Sequence, residues 1–229
     1  LEKYDDEIAR LTQELNEVAA KKKEALGTFE NVTKNILQDE IEHGYREFII
    51  GIGGSATNDA GLGMLQALGF RFYDQNGEIL GKGGQILDQI VAIDFSSVHP
   101  ALKDARFTIA CDVRNPFSGP EGAAYVFARQ KGADGAMIEK LDAGMKRFSR
   151  LIHSTTGREI TEVAGAGAAG GLGGAFLAFL NAELKPGIEL LLRTLKFDEK
   201  IKDADLIITG EGRVDRQSVM GKVPFGILE

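Results

Sequence analysis

A short apolar strand pattern that runs straight into a glycine-rich turn and out into a helix limits the folds open to this chain more than any other feature. The stretch is IGIGGSATNDAGLGMLQALG, Ile50 to Gly69. Phe48-Ile49-Ile50 has the character of a short buried strand. Gly51, Gly53 and Gly54 permit backbone angles closed to other residues. Met64, Leu65, Ala67 and Leu68 then form an apolar helical face that stops at Gly69. A buried strand feeding a helix belongs to a sheet covered by helices, so an α/β fold is expected.

The same grammar recurs downstream. FTIACDV, Phe107 to Val113, predicts a strand ending at Asp112. Leu206 to Thr209 predicts a strand running into Gly210-Glu211-Gly212. Met137 to Ile152 has the period of an amphipathic helix. FRFYDQNGEIL, from Phe70, predicts a β-hairpin with Asn76-Gly77 as its two-residue turn, and hence a mixed sheet. The N-terminal part differs. Tyr4, Ile8, Leu11, Leu15, Val18, Ala25, Phe29, Val32 and Ile36 step by fours and threes, with Lys22 interrupting. That seam predicts a long helical or coiled-coil segment over residues 1–35, ahead of an α/β domain over 36–229. So narrow an apolar stripe needs a partner, such as a second copy joined through residues 1–33.

Composition narrows the function classes. The formal net charge is -7, which argues against broad electrostatic binding to nucleic acid or an anionic membrane. A local anion site is not excluded, because such sites are built from amides and one or two cations. No apolar run approaches the ~20 residues a membrane helix needs. Cys111 is the one cysteine, so no internal disulfide forms, and a reducing cytoplasm fits. The 29 glycines are clustered beside strands, where backbone must come close to something.

Four blocks carry the candidate chemistry. In GIGGSATND, the amides of Gly53 and Gly54 and the side chains of Ser55, Thr57 and Asn58 are candidate phosphate or substrate ligands. Asp59 is a candidate metal ligand. A tight turn with Asn58 or Asp59 as helix cap explains the same residues equally well. A Walker A loop is absent. In CDVRNPFSGPEGAAYVFARQKGA, Asp112 stands at a strand end, where α/β enzymes place working groups, and Arg129 and Lys131 add cations. In VAGAGAAGGLGGAF, Val163 to Phe176, the glycines predict either close packing or a second amide-lined cradle, of which the cradle is favoured. In ITGEGRVDRQSVMGK, Glu211, Arg213, Asp215 and Lys222 hold two acids and two cations just after a strand. Phosphoryl transfer needs that inventory. His43, His99 and His153 lack metal-ligand spacing, and Asp112 beside Cys111 disfavours a thiolate.

Together and in this order, IGIGGSATND, DVRNP with QKGA, GAGAAGGLG and TGEGRVDRQSVMGK resemble the bacterial two-domain glycerate kinases, over about Ile36 to Ile227. The resemblance implies ATP- and Mg²⁺-dependent phosphorylation of D-glycerate, usually at the 2-hydroxyl. In that setting Asp215 is the acid nearest the hydroxyl, with Glu211 and Asp112 as orienting or metal-side carboxylates and Asp59 a further metal candidate. Lys131, Arg213 and Lys222 would neutralise phosphate or the glycerate carboxylate. An APDSFKG-like opening is missing, and the chain stops at Glu229. The expectation is therefore a middle, inserted domain, with residues 1–33 outside the family and low activity in isolation. Ala60, Arg114 and Arg129 depart from the family pattern. The competing expectation is a non-catalytic binding or oligomerisation module.

Overall fold

The computed structural model describes residue 37, residues 39–209 and residue 227. The heptad over 1–36 and the block from Gly210 to Lys222 lie outside the described residues. Within them the elements are β1 (Glu47–Gly51), α1 (Leu62–Ala67), β2 (Arg71–Tyr73), β3 (Ala92–Asp94), β4 (Arg106–Ala110), α2 (Ala123–Phe127), α3 (Gly135–Thr156), α4 (Ala168–Phe179), β5 (Ala182–Lys185), α5 (Gly187–Thr194) and α6 (Phe197–Ile201). Short 3₁₀ turns cover Gly84–Ile86, Pro100–Asp104 and Arg129–Lys131.

The fold is α/β, with a parallel sheet in the order β1-β4-β5. Ile49 pairs with Thr108, and Ile109 with Leu184. The connection from β1 to β4 runs through α1 and the β2-β3 ribbon and that from β4 to β5 through α2, α3 and α4, long crossovers of the kind parallel pairing requires. One sheet face carries Phe48, Ile50, Phe107, Ile109 and Leu184 and belongs to the core. Phe48 stacks on Phe107 at 5.1 Å, and Phe107 meets Phe176 of α4 at 6.0 Å. Phe179 of α4 meets Phe70 at 5.3 Å and Phe148 of α3 at 6.5 Å. Phe72 of β2 closes on Phe148 at 5.8 Å. One row of rings thus ties the sheet, both long helices and the β2-β3 ribbon into one core, each pair adding a little beyond its buried area.

Four sequence expectations are corrected. Among the described residues the three-stranded sheet is all parallel, not mixed. β2 pairs antiparallel with β3, not with Glu78–Leu80, and forms a separate ribbon. Only a single bridge, Tyr73 to Ile79, survives of the hairpin. The turn there is closed by Asp74, whose carboxylate accepts from the amides of Asn76 and Glu78, both at 2.9 Å. Gly77 takes a left-handed φ of 79°. A side chain that fills the turn with its own hydrogen bonds competes with the two-residue geometry. Second, β1 is present but not buried. It alternates, and Ile49 is 62% exposed because it points to the sheet face shared with Thr108 and Glu183, where no described element covers it. Third, Leu206 to Ile208 forms no strand. These residues have no pairing partner among the described residues and are exposed. Fourth, β4 ends at Ala110, two residues before Asp112.

Helix α3 comes out close to its sequence reading. The Asp134 carboxylate caps it by accepting from the Met137 amide at 2.8 Å, and Gly157 closes it with a φ of 72°. Ile138, Met145, Phe148 and Ile152 are its buried stripe. No described helix is long and apolar enough to cross a membrane.

Candidate functional site

The loop Gly51–Asn58 leaves the end of β1 with little packed on it. A methyl group added at Gly51, Gly53 or Gly54 would meet nothing within 4 Å. Gly54 has a φ of 70°, so there the glycine is also conformationally required. The loop ends at Asp59, which is buried. Its two oxygens accept from the amides of Gly61 (3.1 Å) and Gly63 (3.0 Å). Asp59 therefore occupies the start of α1 itself. The amides of Gly61, Leu62 and Gly63 at the helix start are already satisfied by Asp59. Burial pushes its carboxyl above the ordinary value, against the pull of those amides and of the Lys131 charge.

The cation arrives from elsewhere in the chain. Lys131 follows α2 in a 3₁₀ turn that Gly132 ends with a φ of 98°. Its ammonium donates to Ser55 Oγ at 3.0 Å and to the Thr57 carbonyl oxygen. Two of its three donors are thus spent on the loop, and one is left for a ligand. Burial lowers its proton affinity, and the Asp59 charge works the other way. Ser55, Thr57 and Lys131, which the sequence singled out separately, are brought together. Arg129 stays exposed two residues away.

Beside them lies a cavity of about 350 Å³. Asn58, Lys131, Gln85, Lys140, Met137 and Leu141 line it, with no carboxylate among the described residues of the wall. Both side-chain polar atoms of Asn58 are buried without a hydrogen-bond partner. The first turns of the 22-residue α3 form part of the wall, so the helix dipole adds to the positive field of the two lysines. Sequence reasoning missed Gln85 and Lys140. The usable signal was Gly83-Gly84. A methyl group at Gly84 would sit 2.4 Å from the Asn58 carbonyl oxygen, so this turn is pressed against the loop. Nothing in the spacing marks Lys140.

Asp112 serves a different place. Its Oδ1 accepts from the amide of Gly187, the first residue of α5, at 2.7 Å. The other oxygen keeps its lone pairs. The Gly165–Gly174 run is not an open cradle. Gly170 packs on the carbonyl of Thr57, Gly167 on that of Pro116, and Gly174 on the ring of Phe117. Close packing, the plainer of the two sequence readings, is what the structure has. Burial is the main cause that raises the Cys111 thiol, with Asp112 adding to it, which fits its rejection as a nucleophile. Among the described residues no group of three His, Cys, Asp or Glu side chains is placed to hold a metal. Glu211, Arg213, Asp215 and Lys222 lie outside the described residues.

The glycerate kinase family pattern matches residues 11–229. The chain belongs to the glycerate kinase family. The match takes in most of the segment that the resemblance had placed outside it, so family sequence starts by residue 11 rather than near Ile36. The chain is 47% identical to a glycerate kinase of Halalkalibacterium halodurans, over 94% of this chain and 57% of that protein. It is also 47% identical to a glycerate 2-kinase of Escherichia coli, over 92% of this chain and 55% of that protein. Its fold matches a crystal structure of a candidate glycerate kinase 2 from Salmonella typhimurium with a TM-score of 0.78 and 45% identity. That match covers 85% of this chain and 52% of the other. The chain thus spans a little over half the length of the curated relatives it matches.

Proposed function

We propose that this chain forms the acceptor- and phosphate-handling part of a kinase that transfers the γ-phosphoryl group of ATP to D-glycerate, giving 2-phosphoglycerate. The observation that carries the reading is Lys131. It ties Ser55 and Thr57 of the open glycine loop to a cavity with two lysines and no acid among the described residues of its wall. Phosphoryl transfer is mostly positioning and charge neutralisation, and this arrangement supplies both.

In this reading the amides of Gly53 and Gly54, with Ser55 and Thr57, hold phosphate oxygens. Lys131 neutralises charge that grows as the leaving oxygen departs. Asn58 belongs to the same proposed phosphate- or substrate-binding set. Asp215 is the acid nearest the attacking hydroxyl, Glu211 orients, and Arg213 and Lys222 neutralise. Mg²⁺ would supply charge neutralisation across the phosphates. Asp59 fits it less well, because it is buried and each of its oxygens already accepts one amide. Asp112 keeps one oxygen open and fits as a single carboxylate ligand, which is common where phosphates supply the rest. The division into residues 1–35 and a catalytic part, the pairing of copies through 1–33 and a cytoplasmic setting belong to the same proposal.

The test is a coupled ATPase assay of the full-length parent with D-glycerate. Turnover should be glycerate-dependent. Lys131→Met should lower kcat/KM by roughly 100-fold, with the melting temperature little changed. No glycerate-dependent turnover in the parent would refute the reading.

A further inference from the structure

One wall of the Lys131 cavity is the turn that carries Gly84 and Gln85. The turn is fastened at several points. The Leu80 amide donates to the Phe72 carbonyl oxygen at 2.8 Å and holds the near end to β2. Gln85 donates from Nε2 to the Lys82 carbonyl oxygen at 2.7 Å and closes the turn on itself. Gly84 presses on the Asn58 carbonyl and on Leu141. A further tie comes from α1. The Gln66 side chain donates from Nε2 to two successive carbonyl oxygens, that of Gly81 at 2.7 Å and that of Leu80 at 3.3 Å. Gln66 itself does not line the cavity.

Two adjacent carbonyls accept the carboxamide one way round, with its NH₂ towards them. That choice leaves Gln66 Oε1 buried without a partner. An unpaired buried acceptor costs about as much as two neutral hydrogen bonds return. For stability alone the carboxamide is therefore close to neutral, and an apolar side chain of the same length would serve. What the carboxamide adds is position. It stands on α1, the helix into which the glycine loop runs and whose first amides Asp59 holds. Gln66 thus ties the 80–85 turn to the helix that ends the 51–58 loop. Ala56 and Asn58 from the loop and Gly84 and Gln85 from the turn are neighbouring parts of one cavity wall.

We infer that Gln66 is a positioning residue: acting through the Leu80 and Gly81 carbonyls, it fixes the 80–85 turn against the glycine loop and so sets how tightly the Lys131 cavity holds its ligand. Its effect on turnover rests on the kinase reading. Its effect on the turn does not.

Two measurements test it, each on Gln66→Met and Gln66→Glu. One is steady-state kinetics of the full-length parent with D-glycerate. The other is amide hydrogen exchange of the 229-residue chain. Gln66→Met keeps side-chain length and helix propensity but donates nothing. Gln66→Glu sets a charged oxygen against both carbonyl oxygens. Gln66→Met should raise KM for D-glycerate about 5-fold, the scale of a lost neutral hydrogen bond, and change kcat less, since the wall is common to ground and transition states. Gln66→Glu should raise KM further. In the chain, the Ile86 and Leu87 amides, which donate to the Gly83 and Gly84 carbonyls, should exchange faster in both variants. Phe107 and Ile109 of the central strand β4 should exchange as before. A purely structural role would instead speed exchange throughout the chain and lower the melting temperature with KM unchanged. That result would overturn the inference, as would unaltered KM and turn exchange in both variants, or a fall in kcat as large as the rise in KM. The two readings fail separately. A loosened turn with no glycerate-dependent turnover in the parent removes the kinase reading and leaves the positioning of the turn standing. Turnover with an undisturbed turn removes this inference alone.

Discussion

Two glycine-rich stretches of this molecule look alike on paper and do opposite things. In the loop 51–54 the glycines stand beside empty space, and an added methyl group at Gly51, Gly53 or Gly54 touches nothing. In the run 165–174 every glycine is pressed against other atoms. The added methyl would lie 2.1 Å from the Pro116 carbonyl oxygen at Gly167, 2.2 Å from that of Thr57 at Gly170 and 2.3 Å from that of Gly165 at Gly173. The first stretch has open space beside its small residues, which is the room the proposed ligand would use. The second needs them so that the chain can approach itself. The two are also coupled. The Gly170 carbonyl accepts from the Ala60 amide at 2.9 Å, so the packed run is the bed on which the open loop rests.

The largest effect that could break this contrast is at Gly170. Its φ of 72° and the Thr57 carbonyl together forbid a side chain. Gly170→Ala should cost at least about 3 kcal/mol in urea unfolding, from overpacking and backbone strain combined. A loss below about 0.5 kcal/mol would show that the run is loosely packed, a level typical of surface changes. The smallest expected effect is at Gly53. Gly53→Ala meets nothing, so stability should stay within about 0.5 kcal/mol or rise slightly through a less flexible unfolded chain. A large loss there would mean that the loop is packed after all.

The parts legible in the sequence are those set by local rules. The strand–loop–helix at 47–67 and the long helix α3 follow from periodicity and caps, since Asp134 and Gly157 bound α3 with their own hydrogen bonds. What the sequence hid depends on distant partners. Whether Gly165–Gly174 is a cradle or a packing surface is decided by Thr57, Pro116 and Phe117, none of them neighbours in sequence. The same holds for β2, whose partner β3 lies some twenty residues on rather than across the nearest turn. In the site, Lys131 was visible as a cation, but its grip on Ser55 and Thr57 spans 76 and 74 residues. Asp59 shows the reverse case. It was offered as a metal ligand, while the local alternative, a helix-start acceptor, is the geometry observed.

The central claim is that the open loop and the Lys131 cavity receive the ligand while the packed glycine run does not. Titration of the ¹⁵N-labelled chain with D-glycerate, followed amide by amide, tests it most directly. The Gly132 amide should shift with D-glycerate and the amides of Gly53, Gly54 and Ser55 with added ATP, while those of Gly167, Gly173 and Gly174 stay in place in both titrations. Shifts centred on the packed run, with the 53–58 loop and Gly132 unmoved, would contradict the account.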